Sequence, residues 1–183
     1  MNRERHLVLG GARSGKTRYA LSLANMLAST RGANVVYVAT AEALDEEMRD
    51  RIQHHRGERP SQWQTIEAPR HLARALSSVS DNAVIIVDCL TLWLSNAVLQ
   101  DFREDAPTSP LPAWSREREE FMSYLSRAPH AMVLVSNEVG GGIVPLAAVA
   151  RRFQSEQGWL NQAVAGVCER VTLVVAGIPL VVK

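Results

Sequence analysis

The chain has 183 residues, with 20 basic and 19 acidic side chains, a formal net charge of +1 and 46% hydrophobic residues. That length suits one α/β domain with a sizeable core and is short for two, so residues 1–183 are read as a single domain. Near-zero net charge gives no electrostatic case for nucleic acid, two cysteines (Cys89 and Cys168) make neither a disulfide framework nor a zinc set, and no run of about 18 apolar residues offers a membrane span.

Met1 is followed by Asn-Arg-Glu-Arg-His rather than an apolar leader, and both cysteines read as small core residues, so a soluble protein of the reducing cytoplasm is expected. Leu7-Val8-Leu9 then reads as a buried strand running into Gly10. From there Gly10-Gly11-Ala12-Arg13-Ser14-Gly15-Lys16-Thr17 fits the phosphate-binding loop G-x-x-x-x-G-K-T at every fixed position. Glycines let the backbone curl so that successive N–H groups face phosphate oxygens. Lys16 brings a point charge to the outer phosphates, and the Thr17 hydroxyl suits magnesium. Leu21, Leu23 and Leu27 recur through the Ala-rich stretch 17–29, which predicts an amphipathic helix aiming its positive end at the same place. A nucleoside triphosphate is the expected ligand.

Arg31-Gly32-Ala33-Asn34 stops that helix, and Val35 to Ala39 is a second buried strand ending at Thr40-Ala41-Glu42. Strand carboxyl ends face the ligand crevice in open α/β sheets, which makes Thr40 a crevice candidate. Residues 43–57 read as a helix with Leu44, Met48 and Ile52 along one side. Around its axis His55 falls about 20° from Leu44 and His54 about 80° to the other side, so His55 is expected to face inward and His54 to lie nearer solvent. Arg56-Gly57-Glu58-Arg59-Pro60 closes the helix as a charged loop.

Residues 63–67 read as a short strand, and Pro69 opens a helix through Leu72, Leu76 and Val79. The apolar run Ala83-Val84-Ile85-Ile86-Val87 ends in Asp88, the shape of a Walker B strand that delivers a carboxylate to magnesium beside the phosphate loop. An apolar helix over 90–99 carries Trp93. Pro107, Pro110 and Pro112 break the pattern over 100–113, which reads as a surface linker. Residues 114–127 form a charged amphipathic helix on Phe121, Tyr124 and Leu125, its charges taken as a solvated face. The strand 131–135 then runs into Ser136-Asn137-Glu138-Val139 and Gly140 to Gly142, so Asn137 and Glu138 fall where a ligand is expected. A last helical region spans 146–170, with Arg151-Arg152 suited either to phosphate or to ordinary surface contacts. Strands at 171–175 and 178–182 finish the sheet, the second as an antiparallel edge. Alternating strands and helices imply a mainly parallel sheet covered on both faces.

Several of these segments occur together in one known family. Besides the phosphate loop they are Tyr37-Val38-Ala39-Thr40-Ala41, Asp45-Glu46-Glu47-Met48, Arg51-Ile52-Gln53-His54-His55-Arg56, and the run from Val87-Asp88-Cys89-Leu90-Thr91 through Leu92-Trp93-Leu94-Ser95-Asn96. Ser136-Asn137-Glu138-Val139-Gly140, Ile143-Val144-Pro145 and Arg151-Arg152-Phe153 complete the set. In this order, and over nearly the whole chain, they resemble the bifunctional adenosylcobinamide kinase and adenosylcobinamide-phosphate guanylyltransferase of cobalamin biosynthesis. The resemblance implies a RecA-like phosphate-loop fold assembled as a homotrimer, with GTP or ATP phosphorylating adenosylcobinamide. GTP then donates GMP to adenosylcobinamide phosphate, through a guanylylated histidine whose match here is His55. It also implies that Gly10, Gly11, Ala12, Arg13, Ser14, Gly15, Lys16, Thr17, Ala39, Thr40, Ala41, Arg56, Gly57, Glu58, Arg59, Glu67 and Asp88 contact the nucleotide or, for Thr17 and Asp88, its Mg2+. Gly141 departs from the family, whose members carry a larger apolar residue there. From the residues alone two other readings stay open: a RecA-type nucleotide-driven switch, and a plain small-molecule kinase in which His55 is merely packed.

Overall fold

The computed structural model describes residues 4–43, 45–57 and 59–183, with the backbone alone at Glu47, Arg51, His54 and His55. Strands and helices alternate as β1 (Arg5–Gly10), α1 (Lys16–Arg31), β2 (Asn34–Ala39), α2 (Glu46–Gly57), β3 (Gln64–Glu67), α3 (Leu72–Ser77), β4 (Ala83–Asp88), α4 (Leu90–Asp101), α5 (Pro112–Arg127), β5 (Ala131–Asn137), α6 (Ala148–Val167), β6 (Arg170–Val175) and β7 (Ile178–Val181). The strands form one sheet in the order β3-β2-β4-β5-β1-β6-β7, parallel throughout except for the antiparallel β6–β7 edge. This is the expected RecA-like arrangement, in which β5 separates the loop strand β1 from the Asp88 strand β4.

Why the central strands read as continuous apolar runs is explained by burial on both faces. Val8, Val35, Tyr37, Val84, Ile86, Val133 and Val135 turn to the side of α1, where Ala20, Ala24 and Leu27 meet them. Their neighbours Leu7, Val36, Val38, Ile85, Val87, Met132 and Leu134 turn to the opposite face, under α3, α4, α5 and α6. The period of two in the strands thus feeds two cores.

The second core is built on aromatics tied to buried carboxylates. Trp93 meets Trp114 and Phe121 edge-on, at centroid distances of 5.0 and 5.1 Å. Fully burying side chains of this size contributes about 1.5–3 kcal/mol each relative to leaving them exposed. Their indole N–H groups need acceptors there. Trp93 donates to Glu117 at 3.1 Å and Trp114 to Glu156 at 2.8 Å. Glu117 also accepts the His71 backbone N–H, and Glu156 pairs with Arg152. Glu117 is therefore an exception to the solvated face expected of α5: it is 9% exposed.

Helix boundaries differ from expectation in explicable ways. α5 starts at Pro112 rather than at residue 114, because a proline lacks only an N–H that the first turn does not use. The Asp101 carboxylate then takes the N–H groups of Ala113 and Trp114, at 2.7 and 3.1 Å, so the end of α4 caps α5 across the linker. α3 opens at Leu72, three residues after Pro69, and α6 spans Ala148–Val167, inside the expected 146–170.

The phosphate loop is shaped by the turn between β6 and β7. Ala176 and Gly177 both have positive φ, 51° and 80°, as a tight two-residue hairpin turn with strand-matching twist requires. Gly177 N–H donates to Ser14 O at 2.8 Å, which ties that turn to the loop. Gly15 has φ 90°, and a Cβ there meets the Gly177 Cα at 3.2 Å; Gly32, at the end of α1 with φ 60°, has only open space around it. Gly32→Ala should therefore cost about 1 kcal/mol, the cost of a left-handed alanine alone, and Gly15→Ala about 2–3 kcal/mol, since its methyl also presses on the hairpin. Urea unfolding of the two variants measures the difference; equal losses would mean that the hairpin does not constrain the loop.

Candidate functional site

Parallel pairing brings the carboxyl ends of β1, β2, β4 and β5 to one edge of the sheet. Ala39 is opposite Asp88, Asp88 opposite Val135, and Gly10 opposite Asn137. Over this edge lies a cleft of about 820 Å³. Lys16 and Thr17 enter it from α1, and Tyr37, Ala39 and Ala41 from β2 and its extension. Met48, Ile52, Gln53 and Arg56 enter from α2, Arg59 from the segment leading to β3, Glu67 from the end of β3, and Asp88, Cys89, Leu92 and Asn137 from the sheet centre and α4. Met48 and Ile52, read from the sequence as an inward apolar stripe, thus face the cleft.

Within the loop, Lys16 is 7% exposed and its Nζ donates to Gly11 O at 3.1 Å. The ammonium is thereby held inside the ring of loop backbone. Gly10 has no room for a side chain, since a Cβ there approaches Val174 O to 2.7 Å. Ser14 Oγ is buried without a hydrogen-bond partner among the described residues. An orphaned hydroxyl inside a curled loop fits a site that takes a polar ligand. Lys16 and Thr17 are the loop residues that line the cleft itself; Gly10 to Gly15 frame them.

Asp88 is held by Tyr37, to which the sequence assigns a place in a buried strand and in a family segment but no role at the site. Tyr37, 2% exposed, donates its hydroxyl to Asp88 Oδ2 at 2.8 Å. Burial, then the charge of Asp88, pushes the phenol well above its usual range, so it remains a donor. Over the Tyr37 ring, 3.5 Å from its centroid, sits the Arg59 guanidinium, whose Nε is buried without a partner among the described residues. Arginine over a tyrosine face is attracted by the ring quadrupole, which places the positive charge at the cleft wall. The signal in the sequence was a polar-tipped aromatic two positions before the end of an otherwise aliphatic strand.

Of the residues named from the sequence as nucleotide contacts, Ala39, Ala41, Arg56, Gly57, Arg59, Glu67 and Asp88 line the cleft. Arg56 and Glu67 are paired with each other, both more than half exposed. A pair so open to solvent contributes less than about 1 kcal/mol and is readily exchanged for a ligand. Thr40 is 0% exposed, and its hydroxyl donates to Cys89 O at 2.7 Å and accepts from Cys89 N at 2.8 Å. It braces β2 against the start of α4 and its side chain does not enter the cleft. The side chains of His54 and His55, and Glu58 as a whole, lie outside the described residues.

Of the other residues singled out, Glu138 turns back to the Gly140 N–H at 2.7 Å. Arg151 clasps the carbonyls of Pro145 and Leu146, and Arg152 serves Glu156, so both arginines are committed to the fold. Burial pushes the Cys89 and Cys168 thiols up to about 11 and about 12, which leaves them protonated and unreactive. Among the described residues no helix is long and apolar enough to cross a membrane, and no three or more His, Cys, Asp or Glu side chains group to hold a metal.

Comparison with known proteins follows the same lines. The family model described as cobinamide kinase / cobinamide phosphate guanyltransferase matches residues 6–182. The bifunctional adenosylcobalamin biosynthesis protein CobP of Pseudomonas aeruginosa is 47% identical over 98% of this chain and 97% of its own length. The corresponding CobU proteins of Escherichia coli and Salmonella typhimurium are each 38% identical, over 97% of this chain and 98% of theirs. Among solved structures, a KaiC-like protein from Pyrococcus horikoshii OT3 aligns with a TM-score of 0.49 at 13% identity, over 93% of this chain and 70% of that one.

Tyr37→Phe keeps the ring under Arg59 but removes the hydrogen bond that orients Asp88. With Asp88 as a ligand of a nucleotide-bound metal ion, loss of such a supporting contact would weaken nucleotide-dependent Mn2+ binding about tenfold, read by the free-ion electron paramagnetic resonance signal. Unchanged affinity would mean that Asp88 is positioned by its strand alone or does not hold the metal.

Proposed function

Because this chain belongs to the cobinamide kinase / cobinamide phosphate guanyltransferase family, we propose that it performs two successive reactions in one cleft: phosphorylation of adenosylcobinamide by ATP or GTP, then transfer of GMP from GTP to the resulting phosphate. The observation that carries this reading is the meeting of two walls. Lys16, Thr17 and Asp88 stand on one, and α2 contributes Met48, Ile52 and Arg56 to the other.

In the first reaction the loop N–H groups and Lys16 hold the phosphate tail, and the acceptor hydroxyl attacks the γ-phosphorus as the nucleoside diphosphate leaves. Thr17 and Asp88 are hard oxygen donors on the same cleft, a set that fits magnesium completed by phosphate oxygens and water. When bound there, the ion offsets the charge that builds on the β- and γ-oxygens.

In the second reaction His55 is the nucleophile. Its neutral imidazole attacks the α-phosphorus of GTP, the P–N bond forms as the bond to the bridging oxygen breaks, and pyrophosphate departs. The phosphate of adenosylcobinamide phosphate then displaces the imidazole, giving adenosylcobinamide-GDP. Position 55 follows Met48 by seven residues, about 20° around the axis of α2, and Met48 lines the cleft. Arg56 and Arg59 offset phosphate charge, and Glu67, once released by Arg56, pairs with the guanine N–H groups.

The assembly we assign is a homotrimer. Ile178 and Leu180, 62% and 50% exposed on one face of the β7 edge, and Val181, 79% exposed on the other, leave an apolar edge strand that supports association. Buried, protonated cysteines suit a reducing cytoplasm.

GTP labelled at the α-phosphate should mark the protein through an acid-labile, base-stable bond, and His55→Ala should abolish the mark while His54→Ala retains it. Full labelling of His55→Ala with loss in His54→Ala would move the nucleophile one residue back, and no label on active protein would leave a plain kinase. Lys16→Ala should slow both reactions, each by about 100-fold, in separate assays of phosphorylation and labelling. Loss confined to phosphorylation would require a second GTP site.

A further inference from the structure

Asn137 ends β5 at the centre of the sheet edge, between the strand of the phosphate loop and the strand of Asp88. Both of its main-chain groups are clamped: the N–H donates to Thr91 Oγ1 at 2.7 Å, and the carbonyl accepts from Asn161 Nδ2 at 3.0 Å. Asn161 is held in turn by Ser136, 2.7 Å away, and by Gln157, 3.0 Å away. Ser136 and Gln157 are 0% exposed and Asn161 is 6% exposed. The carboxamide that all this fixes has no hydrogen bond among the described residues; its Oδ1 is buried, and the side chain lines the same cleft as Lys16, Thr17 and Asp88.

Apolar residues pack such a position more simply. A polar network spent on the backbone of one residue, with its side chain left unsatisfied, marks a group awaiting a ligand. A carboxamide both donates and accepts, and it carries no charge to repel phosphate. We infer that Asn137 positions the acceptor hydroxyl for phosphoryl transfer, accepting its hydrogen bond at Oδ1 while Nδ2 donates to the γ-phosphoryl group. This rests on the kinase half of the function proposed above. The hydroxyl oxygen forms the new bond to the γ-phosphorus, the bond to the β–γ bridging oxygen breaks, and its electron pair leaves with the nucleoside diphosphate. The hydroxyl proton passes to water, because a carboxamide accepts a hydrogen bond but not a proton. Guanylylation of the histidine, centred two phosphates away, depends less on this group.

The test compares two rates in the full-length protein and in Asn137→Ala and Asn137→Asp: turnover of adenosylcobinamide at saturating ATP, and the single-turnover rate of labelling by α-labelled GTP. In Asn137→Ala the kinase kcat should fall about 30-fold, and at least about tenfold further than labelling, with little change in the KM for ATP. Asn137→Asp keeps the shape and the backbone clamps but sets a carboxylate against phosphate, so its kinase rate should fall further still. It also decides the matter if the alanine variant fails to fold. Parallel losses of both rates, a loss only in the KM for ATP, or full kinase activity in Asn137→Asp would each overturn the assignment while leaving the proposed function intact. Absence of kinase activity in the unaltered protein would overturn both.

Discussion

The placement of every group in the cleft depends on the parallel pairing of β2, β4, β5 and β1. Parallel strands deliver all their carboxyl ends to one edge, and a ladder fixes the register of those ends. Asp88 and Gly10 therefore stand at set heights on either side of Asn137. Shifting one strand by a single residue would turn its buried side chains to the wrong core and carry its terminal polar group away from the cleft. The two apolar layers thus position the chemistry as much as they stabilise the fold.

Upon that edge the molecule arranges support according to charge. Asp88, at the end of β4, is fixed by a neutral phenol that burial keeps protonated, and Arg59 rests over the ring of that phenol. A charged partner in that place would compete with a metal for the carboxylate, whereas a phenol orients it and leaves its charge available. Elsewhere the buried acids serve packing: Glu117 and Glu156 accept from Trp93 and Trp114 and hold α3, α4, α5 and α6 together behind the sheet. Carboxylates of one type thus serve the cleft and the core, distinguished by what donates to them.

Much of this was legible in the sequence because it rests on local pattern. The loop glycines, the apolar runs of the strands and the terminal Asp88 each require particular residue types at particular spacings, and the structure places them as read. What was not legible depends on partners distant in the chain. Nothing near Thr40 reveals that its hydroxyl bridges the backbone of Cys89, 49 residues on. Arg151 and Arg152 resemble a phosphate site until the carbonyls of Pro145 and Leu146 and the carboxylate of Glu156 are seen to take them. Glu117 looked solvated because helical charge is usually solvated, and only the indole across the core explains its burial. Tyr37 was hidden by suiting a buried strand so well; its hydroxyl acquires meaning only when β4 lies beside β2.

The pairing of β1 also sets a schedule. Arg5 pairs with Met132, His6 with Arg170, and Ser14 receives its hydrogen bond from Gly177. On a ribosome the phosphate loop emerges well before β5 and β6, so its strand has neither neighbour until those are made, and the turn that braces the loop arrives later still. The braced form of the loop therefore requires a chain in which β5, β6 and β7 are all in place. A chain lacking β6 and β7 carries the phosphate-loop sequence without the hairpin that braces it, so any ligand that requires the braced loop would stabilise molecules with β6 and β7 in place over those without.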